Sequence, residues 1–220
     1  RYEDKIKQLW KGMEMKMKKK IAVLGAGSWG TALALLLNRN GHEVTIWSID
    51  KNEVEMLRTK REHVDKLPGV MIPECIQITN NISEGILGMN MIVMAVPSVF
   101  TRGTAKKMCP YVAEGQLLVN VSKGIEETTL MTMTDQIEEE IPQAKVAVLS
   151  GPSHAEEVSR GLPTTVVAGA RDKETAEYIQ SIFMSNVFRV YTSPDMLGIE
   201  LGGSLKNVIA LAAGVADGLG

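Results

Sequence analysis

Cysteine is nearly missing from this chain of 220 residues: Cys75 and Cys109 stand 34 positions apart, with no cysteine or histidine partner at metal-ligand spacing. The pattern argues against a disulfide framework or a zinc site and reads as two reduced, buried thiols of a cytosolic protein. Long uninterrupted apolar runs are missing too. The longest, Val208 to Ala216, falls far short of the roughly 18 residues that a membrane span needs, so no spanning segment is expected. Nor does one sign of charge dominate, and a formal net charge of -2 excludes a strongly basic nucleic-acid-binding domain. What is present is ordinary globular material, 45% hydrophobic and 23% charged, with a mean hydropathy of +0.01. That is enough apolar side chain to bury a sizeable core, which excludes general disorder.

The charge is uneven along the chain. Arg1 to Lys20 carries eight Lys/Arg against three Asp/Glu, a net of +5 that leaves -7 on the remaining 200 residues. No apolar segment of signal-peptide type follows, and Glu3, Asp4 and Glu14 together with the lack of serine argue against a transit peptide. Ile6, Leu9 and Trp10 make too short a stripe for a convincing membrane-surface helix. With Met13, Met15 and Met17 close behind, residues 1–17 are expected to be a disordered basic extension upstream of the true start.

From Lys18 onward, apolar β-branched runs alternate with helix-period stretches. Strands are expected at Ile21–Leu24, Val44–Trp47, Ile76–Thr79, Met91–Val96, Leu117–Val121, Val146–Leu149, Thr164–Val167 and Phe188–Tyr191. Helices are expected at Ser28–Asn38, Lys51–Lys60, Val99–Met108, Leu130–Glu140, Ala155–Ser159 and Lys173–Met184. Several strands are apolar throughout, the mark of a parallel sheet covered on both faces. Alternation of strand and helix predicts an α/β fold, a doubly wound, mostly parallel sheet of Rossmann type, over residues 18–193. After Pro194 the style changes. Ile199 to Leu219 reads as one helix rich in Gly, Ala and Leu that needs partners to cover it, as though residues 194–220 begin an all-α domain that the chain leaves unfinished.

Ile21-Ala-Val-Leu-Gly25-Ala-Gly27-Ser-Trp-Gly30 sets a G-x-G-x-x-G between a buried strand and a helix. Gly25 permits the tight turn, Gly27 lets the backbone approach a pyrophosphate, and Gly30 lets helix and strand pack closely. The helix starting near Ser28 offers unpaired N–H groups to phosphate. Asp50 lies 20 positions past Gly30, where a carboxylate accepts hydrogen bonds from an adenosine ribose and repels a 2′-phosphate, favouring NAD(H) over NADP(H). The plainer reading of Asp50 is a helix cap, with Glu53 completing a capping box, and the two roles are compatible. Lys51 next door softens the preference.

Three later strand ends, Val96-Pro97-Ser98, Val121-Ser122-Lys123-Gly124 and Leu149-Ser150-Gly151-Pro152-Ser153-His154-Ala155, should converge on one crevice, because ligands of open parallel sheets bind beyond the carboxyl ends of the strands. Lys123 is either a cation in that crevice or a solvated surface lysine. Ser153 and His154 are adjacent and point apart, which disfavours a hydrolase. His154 more simply starts a helix, and His42 and His63 read as surface or loop residues. Met131 and Met133 read as core filler and helix surface. Lys206 follows Gly202-Gly203-Ser204 and opens an apolar run. Facing a dry helix–sheet boundary it would suit a general base, and facing outward it would be an ordinary helix lysine.

Gly25-Ala-Gly-Ser-Trp-Gly-Thr-Ala-Leu-Ala34, Val121-Ser-Lys-Gly-Ile-Glu126, Leu149-Ser-Gly-Pro-Ser-His-Ala-Glu-Glu157 and Gly202-Gly-Ser-Leu-Lys-Asn-Val-Ile-Ala-Leu-Ala-Ala-Gly214 follow one another in that order. Together they resemble bacterial NAD(P)-dependent glycerol-3-phosphate dehydrogenase, from about Lys18 to Gly220. The resemblance implies a Rossmann domain followed by a helical substrate domain. It also implies interconversion of dihydroxyacetone phosphate and sn-glycerol 3-phosphate for phospholipid synthesis, in a cytoplasmic enzyme that is a homodimer at full length. By the family pattern Ser28, Trp29, Pro97 and Ala155 meet the cofactor, and Lys123 meets cofactor and substrate. Gly151, Ser153 and Asn207 line the substrate site, and Lys206 exchanges the hydroxyl proton. No metal is implied. Ile49 and Asp50 stand where many relatives have basic residues, which departs from the family's usual NADP preference. The family's later Asp and its Arg-Asn pair have no counterpart up to Gly220, so this chain alone is expected to turn over weakly or not at all. Two competing readings are a Rossmann dehydrogenase for a β-hydroxyacid or ketopantoate, and a non-catalytic NAD(H)-binding module.

Overall fold

The computed structural model describes residues 17–220. The expected basic extension, Met17 apart, lies outside the described residues. In chain order the strands are β1 (Lys20–Leu24), β2 (Glu43–Trp47), β3 (Glu62–His63), β4 (Leu67–Met71), β5 (Gln77–Thr79), β6 (Met91–Met94), β7 (Leu117–Asn120), β8 (Lys145–Ser150), β9 (Thr164–Gly169) and β10 (Phe188–Ser193). Eight of them form one sheet in the order β10-β9-β8-β7-β6-β1-β2-β5, and β3 pairs with β4 in a separate hairpin. Neighbours from β5 to β8 are parallel. β9 is antiparallel to β8, and β10 follows β9 in parallel. This is the mostly parallel Rossmann-type sheet that the alternation predicts.

The helices are α1 (Ser28–Arg39), α2 (Lys51–Lys60), α3 (Ile82–Ile86), α4 (Thr101–Met108), α5 (Met133–Glu140), α6 (Ala155–Ser159), α7 (Lys173–Phe183) and α8 (Met196–Leu219). They cover both faces of the sheet. Ile21 and Val23 of β1 pack into a core shared with α1, α2, α6 and α7, whereas Ala22 and Leu24 face a second core with α3, α4 and α5. Burial on both faces is why β1, β6 and β7 carry no alternating polar positions. Every residue of α1 from Gly30 to Leu37 is buried. α1 lies between the sheet and α6, so truncating Leu33 or Leu37 to alanine costs about 2–5 kcal/mol.

Several expectations need correction. Cys75 is exposed and Cys109 half-buried, because Cys75 sits in the turn before β5 and Cys109 in a short 3-10 turn after α4 rather than in a strand. His42 and His63 are buried. His63 Nε2 lies 2.9 Å from Glu53 Oε1, which gives its polar ring a partner inside. The stretch Leu130–Glu140 becomes helical only at Met133: Leu130 has φ 59°, and Thr132 with Asp135 forms a capping box that fixes the start. The Val99–Met108 helix begins as a 3-10 turn over Ser98–Phe100. The β3–β4 hairpin and α3 escape a periodicity reading because they are two to five residues long. α8 starts at Met196, capped by Asp195, and by length and average composition it would suffice to cross a membrane, and it is almost wholly unburied. A search for unbroken apolar runs passes over it because Lys206 and Asn207 interrupt the run.

One ion-pair cluster ties the loop after β7 to the helical layer. Arg102 of α4 donates to both carboxylate oxygens of Glu126 at 2.8 Å and also pairs with Glu139 and Glu140 of α5. Hydrogen bonds from Arg102 and Thr129 hold the Glu126 carboxyl well below its usual value of 4.5, at about 2. A carboxyl lowered in the folded state contributes stability above its ordinary value and loses it as pH falls through the folded one. Acid unfolding followed by circular dichroism between pH 4.5 and 2 should therefore be shallower in Glu126→Gln than in the parent, with the two proteins converging at the acid end.

Candidate active site

The turn from β1 into α1 is set by contacts that leave no room for side chains. A Cβ on Gly30 would lie 1.9 Å from the Gly25 carbonyl oxygen, and a Cβ on Gly25, at φ +116°, would lie 2.5 Å from the Ala95 oxygen. Gly27 differs: its chain neighbours aside, no atom of the described residues lies within 4 Å of where its Cβ would stand. It is the N-cap of α1, makes no side-chain cap bond, and has no acidic residue in the turn after it. The first amides of α1 thus lack a protein side-chain acceptor beside open space, which is what a bound pyrophosphate requires.

That space opens into a cavity of about 350 Å³ lined by Gly25, Gly27, Asp50, Pro97, Phe100 and Lys107, among others. Of the residues expected to meet a cofactor, Gly25, Gly27, Asp50 and Pro97 line this cavity. Ser28 and Trp29 form the partly buried first turn of α1, Gly30 is buried behind it, and Ala155 is buried at the start of α6. Asp50 is exposed at the rim and caps α2, its Oδ1 accepting from Asn52 N at 2.8 Å and Glu53 N at 3.4 Å. The capping box expected with Glu53 does not form. Glu53 turns inward instead and accepts from Ser48 at 2.5 Å and from Lys66 at 2.5 Å, beside His63. Burial opposes its charge, but the hydrogen bonds from Lys66, Ser48 and His63 outweigh it and hold the carboxyl below its ordinary value. Glu53 and Lys66, both in the cavity wall, were missed in the sequence. Only their spacing from Asp50 and the Leu67-Pro-Gly hairpin could have hinted at them.

The second half of the site lies past β7 and β8. Lys123 Nζ donates to the Gly151 carbonyl at 3.0 Å, and Ser153 Oγ reaches the same oxygen at 3.4 Å. Gly151 presses against β9, where a Cβ would lie 2.8 Å from the Thr165 oxygen. A cavity of about 370 Å³ is lined by Ser150, Gly151, Gly202, Gly203, Lys206 and apolar neighbours, with no carboxylate among the described residues of its wall. Gly203 lets α8 approach: a Cβ there would lie 2.8 Å from Ser150 Oγ and 3.5 Å from Lys123 Cγ. Burial first, and then the positive charge of Lys206, hold the Lys123 ammonium below the ordinary lysine value. Lys206 is half-buried in the cavity wall, neither in the dry boundary nor fully outward, and Asn207 is exposed outside the lining. Contacts join the two cavities. Pro97 lines the first, Ser98 abuts Gly124, and Lys123 leads on to Gly151.

Residues 20–176 match the family model described as NAD-dependent glycerol-3-phosphate dehydrogenase N-terminus, and residues 195–220 match the model for the C-terminus of the same family. The chain belongs to this family. It is 66% identical over 201 residues to the glycerol-3-phosphate dehydrogenase [NAD(P)+] of Agathobacter rectalis, an alignment covering 91% of this chain and 60% of that protein. With the protein of the same name from Fusobacterium nucleatum it is 55% identical over 202 residues, with coverage of 91% and 60%. The chain therefore spans about 60% of the length of these curated relatives. The crystal structure of glycerol-3-phosphate dehydrogenase from Coxiella burnetii superposes with a TM-score of 0.85 at 34% identity, over 92% of this chain and 62% of that one. UDP-D-ManNAc dehydrogenase from Pyrococcus horikoshii shares the fold alone, at 16% identity and a TM-score of 0.70 over 87% and 50% of the two chains.

The two glycines separate by experiment. Gly30→Ala must displace backbone and should cost about 1–3 kcal/mol or more of stability, read as a lower thermal midpoint. Gly27→Ala meets open space, so its stability should stay within about 1 kcal/mol of the parent. Its NADH dissociation constant, by fluorescence titration, should nevertheless rise roughly tenfold or more.

Proposed function

We propose that the protein carrying this chain is a glycerol-3-phosphate dehydrogenase that reduces dihydroxyacetone phosphate to sn-glycerol 3-phosphate, reversibly, with NADH as the preferred cofactor. The observation that carries the reading is that Lys206 lines a cavity together with Gly151, whose carbonyl holds the Lys123 ammonium from a separate element, with no carboxylate among the described lining residues and the crevice at Gly27 adjoining. Two like charges brought together are unfavourable unless an anion accompanies them, and a phosphorylated triose is such an anion. The names of the relatives support the same reaction.

The residues divide the work. The amides at the start of α1 and the bare backbone of Gly27 would hold the pyrophosphate, and Asp50 would accept from the adenosine ribose. When bound, the nicotinamide supplies the hydride. Lys206 donates a proton to the carbonyl oxygen in reduction and takes it from the hydroxyl in oxidation. Lys123, anchored on the Gly151 carbonyl, presents fixed positive charge to the oxygen on which negative charge develops. Gly151 and Ser153 shape the substrate pocket beside it.

NADH preference follows from the rim. Asp50 places an exposed carboxylate at the ribose end of the cavity, while Glu53 and Lys66 satisfy one another. A 2′-phosphate would meet the Asp50 carboxylate. We place α8 within a helical substrate domain rather than across a membrane. The C-terminal family match and the charged and polar side chains of Glu200, Lys206 and Asn207 support that choice. Residues 18–193 are then the cofactor domain, and 194–220 open the substrate domain of a cytoplasmic homodimer.

NADH oxidation driven by dihydroxyacetone phosphate, with NADPH in parallel, tests this in the protein encoded by the whole reading frame. NADH should give the higher kcat/KM by roughly tenfold or more, and Asp50→Asn should narrow the gap. Lys206→Ala should lower turnover by about 100-fold or more while leaving the NADH dissociation constant unchanged. Binding of NADH with no response to this substrate would keep the cofactor site and sink the reaction, and unchanged turnover in Lys206→Ala would sink the role of the lysine.

A further inference from the structure

We propose that Glu200 is a positioning residue that sets the rotation and height of α8, and so the place of Lys206 opposite Lys123; the proposal rests on the reading of Lys206 given above. On α8, 24 residues long and dominated by Leu, Ile, Val and Ala, the one buried residue is this glutamate, 6% exposed. Its Oε1 accepts from the backbone N–H of Thr134 at 2.9 Å, and its Oε2 accepts from the Thr134 hydroxyl at 2.5 Å. Thr134 is the second residue of α5, so the carboxylate occupies the donor-rich, positive end of that helix. Thr132 caps the same end through Asp135 N, and the two acceptors take different amides.

A buried carboxylate is expensive to desolvate, and an apolar side chain would fill the space at less cost. What a carboxylate adds is direction, since it fits only where two donors meet it. One turn later Ser204 donates to the Glu200 carbonyl at 2.9 Å and accepts from the Gly124 N–H at 3.1 Å, beside Lys123. Between these two fixed points Gly203 rests on the Lys123 stem. α8 is thus held by polar bonds to α5 and to the Lys123 loop, and Lys206 follows two residues further on. A slip of one residue along a helix turns it by about 100° and shifts it by about 1.5 Å, which would carry the Lys206 ammonium out of the cavity.

The test uses the protein encoded by the whole reading frame and NADH-driven reduction of dihydroxyacetone phosphate. Glu200→Ala should lower kcat roughly tenfold or more with the NADH dissociation constant within about twofold of the parent. Glu200→Gln should recover most of that loss, because its amide oxygen accepts from Thr134 N–H while its NH₂ donates to the Thr134 hydroxyl. If Glu200→Ala fails to fold, Ser204→Ala decides: a kcat reduced about threefold or more with NADH binding kept supports the proposal, and an unchanged kcat overturns it. A kcat within twofold of the parent in folded Glu200→Ala also overturns it. So does a joint loss of NADH binding and turnover that Glu200→Gln does not recover. Lys206→Ala separates the two readings. If it abolishes turnover while Glu200→Ala does not, positioning alone falls; if it leaves turnover intact, both fall.

Discussion

Between Gly30 and the carbonyl of Gly25 there is room for a hydrogen atom and nothing larger. That contact draws the first turn of α1 down onto the end of β1 and fixes where its free amides point. Thr31 adds to it from both ends of its residue, its N–H bonding to Gly27 O at 2.9 Å and its hydroxyl to Ala26 O at 3.1 Å. With α1 so placed, its residues from Gly30 to Leu37 are buried all round, against β1 and β2 on one side and α6 on the other. The crevice above β1, β2 and β6 is then open at Gly27, the glycine that protein packing leaves unexplained. A steric constraint inside the fold and a vacancy facing outward lie three residues apart, and the second depends on the first.

Most of this was legible because the signals were strong ones. Continuous apolar strands, a glycine fingerprint between strand and helix, and Asp50 at its spacing all follow from local chemistry that the sheet does not override. What escaped has physical reasons. A two-residue strand such as β3 and a five-residue helix such as α3 carry too few residues for a period to register. The inward turn of Glu53 depends on His63 and Lys66 from a hairpin that periodicity does not reveal, so a cap rule misassigned it. His63 is buried for the same reason, since its partner arrives from α2. The reversal of β9 against β8 has no sequence signature, because the run of apolar and β-branched residues in a strand does not encode the direction of its neighbour. Lys206 was recognisable as chemistry-bearing, but its half-buried setting depends on how closely Gly203 lets α8 approach.

The crevice differs in charge along its length. Asp50 and Glu53 stand in one wall with Lys66 and Lys107 among them, whereas at the other end Lys206 lines the cavity beside Gly151, whose carbonyl holds Lys123. Each end is costly alone. Glu53 is offset by three hydrogen bonds, and Lys123 keeps one to Gly151 while burial and its neighbour press against its charge. The protein leaves the lysine end only partly compensated. Sites built to accept charge from a ligand are where such imbalance is expected, whereas a purely structural lysine would be paired or solvated.

Helix α8 meets the rest of the fold under the same constraint as α1, and it needs a different solution. Gly203 admits close approach to Ser150 and Lys123, as Gly30 does to Gly25. A glycine contact brings backbones near but says little about rotation. α1 is buried all round from Gly30 to Leu37, so packing on every side fixes its rotation. α8 has a smaller apolar footing on this chain, with Ile199 and Met196 reaching Gly169 of β9. Directional bonds add to it, from Glu200 to Thr134 and from Ser204 to Gly124. A carboxylate that would be a liability in an ordinary core is here the group that orients the helix carrying Lys206.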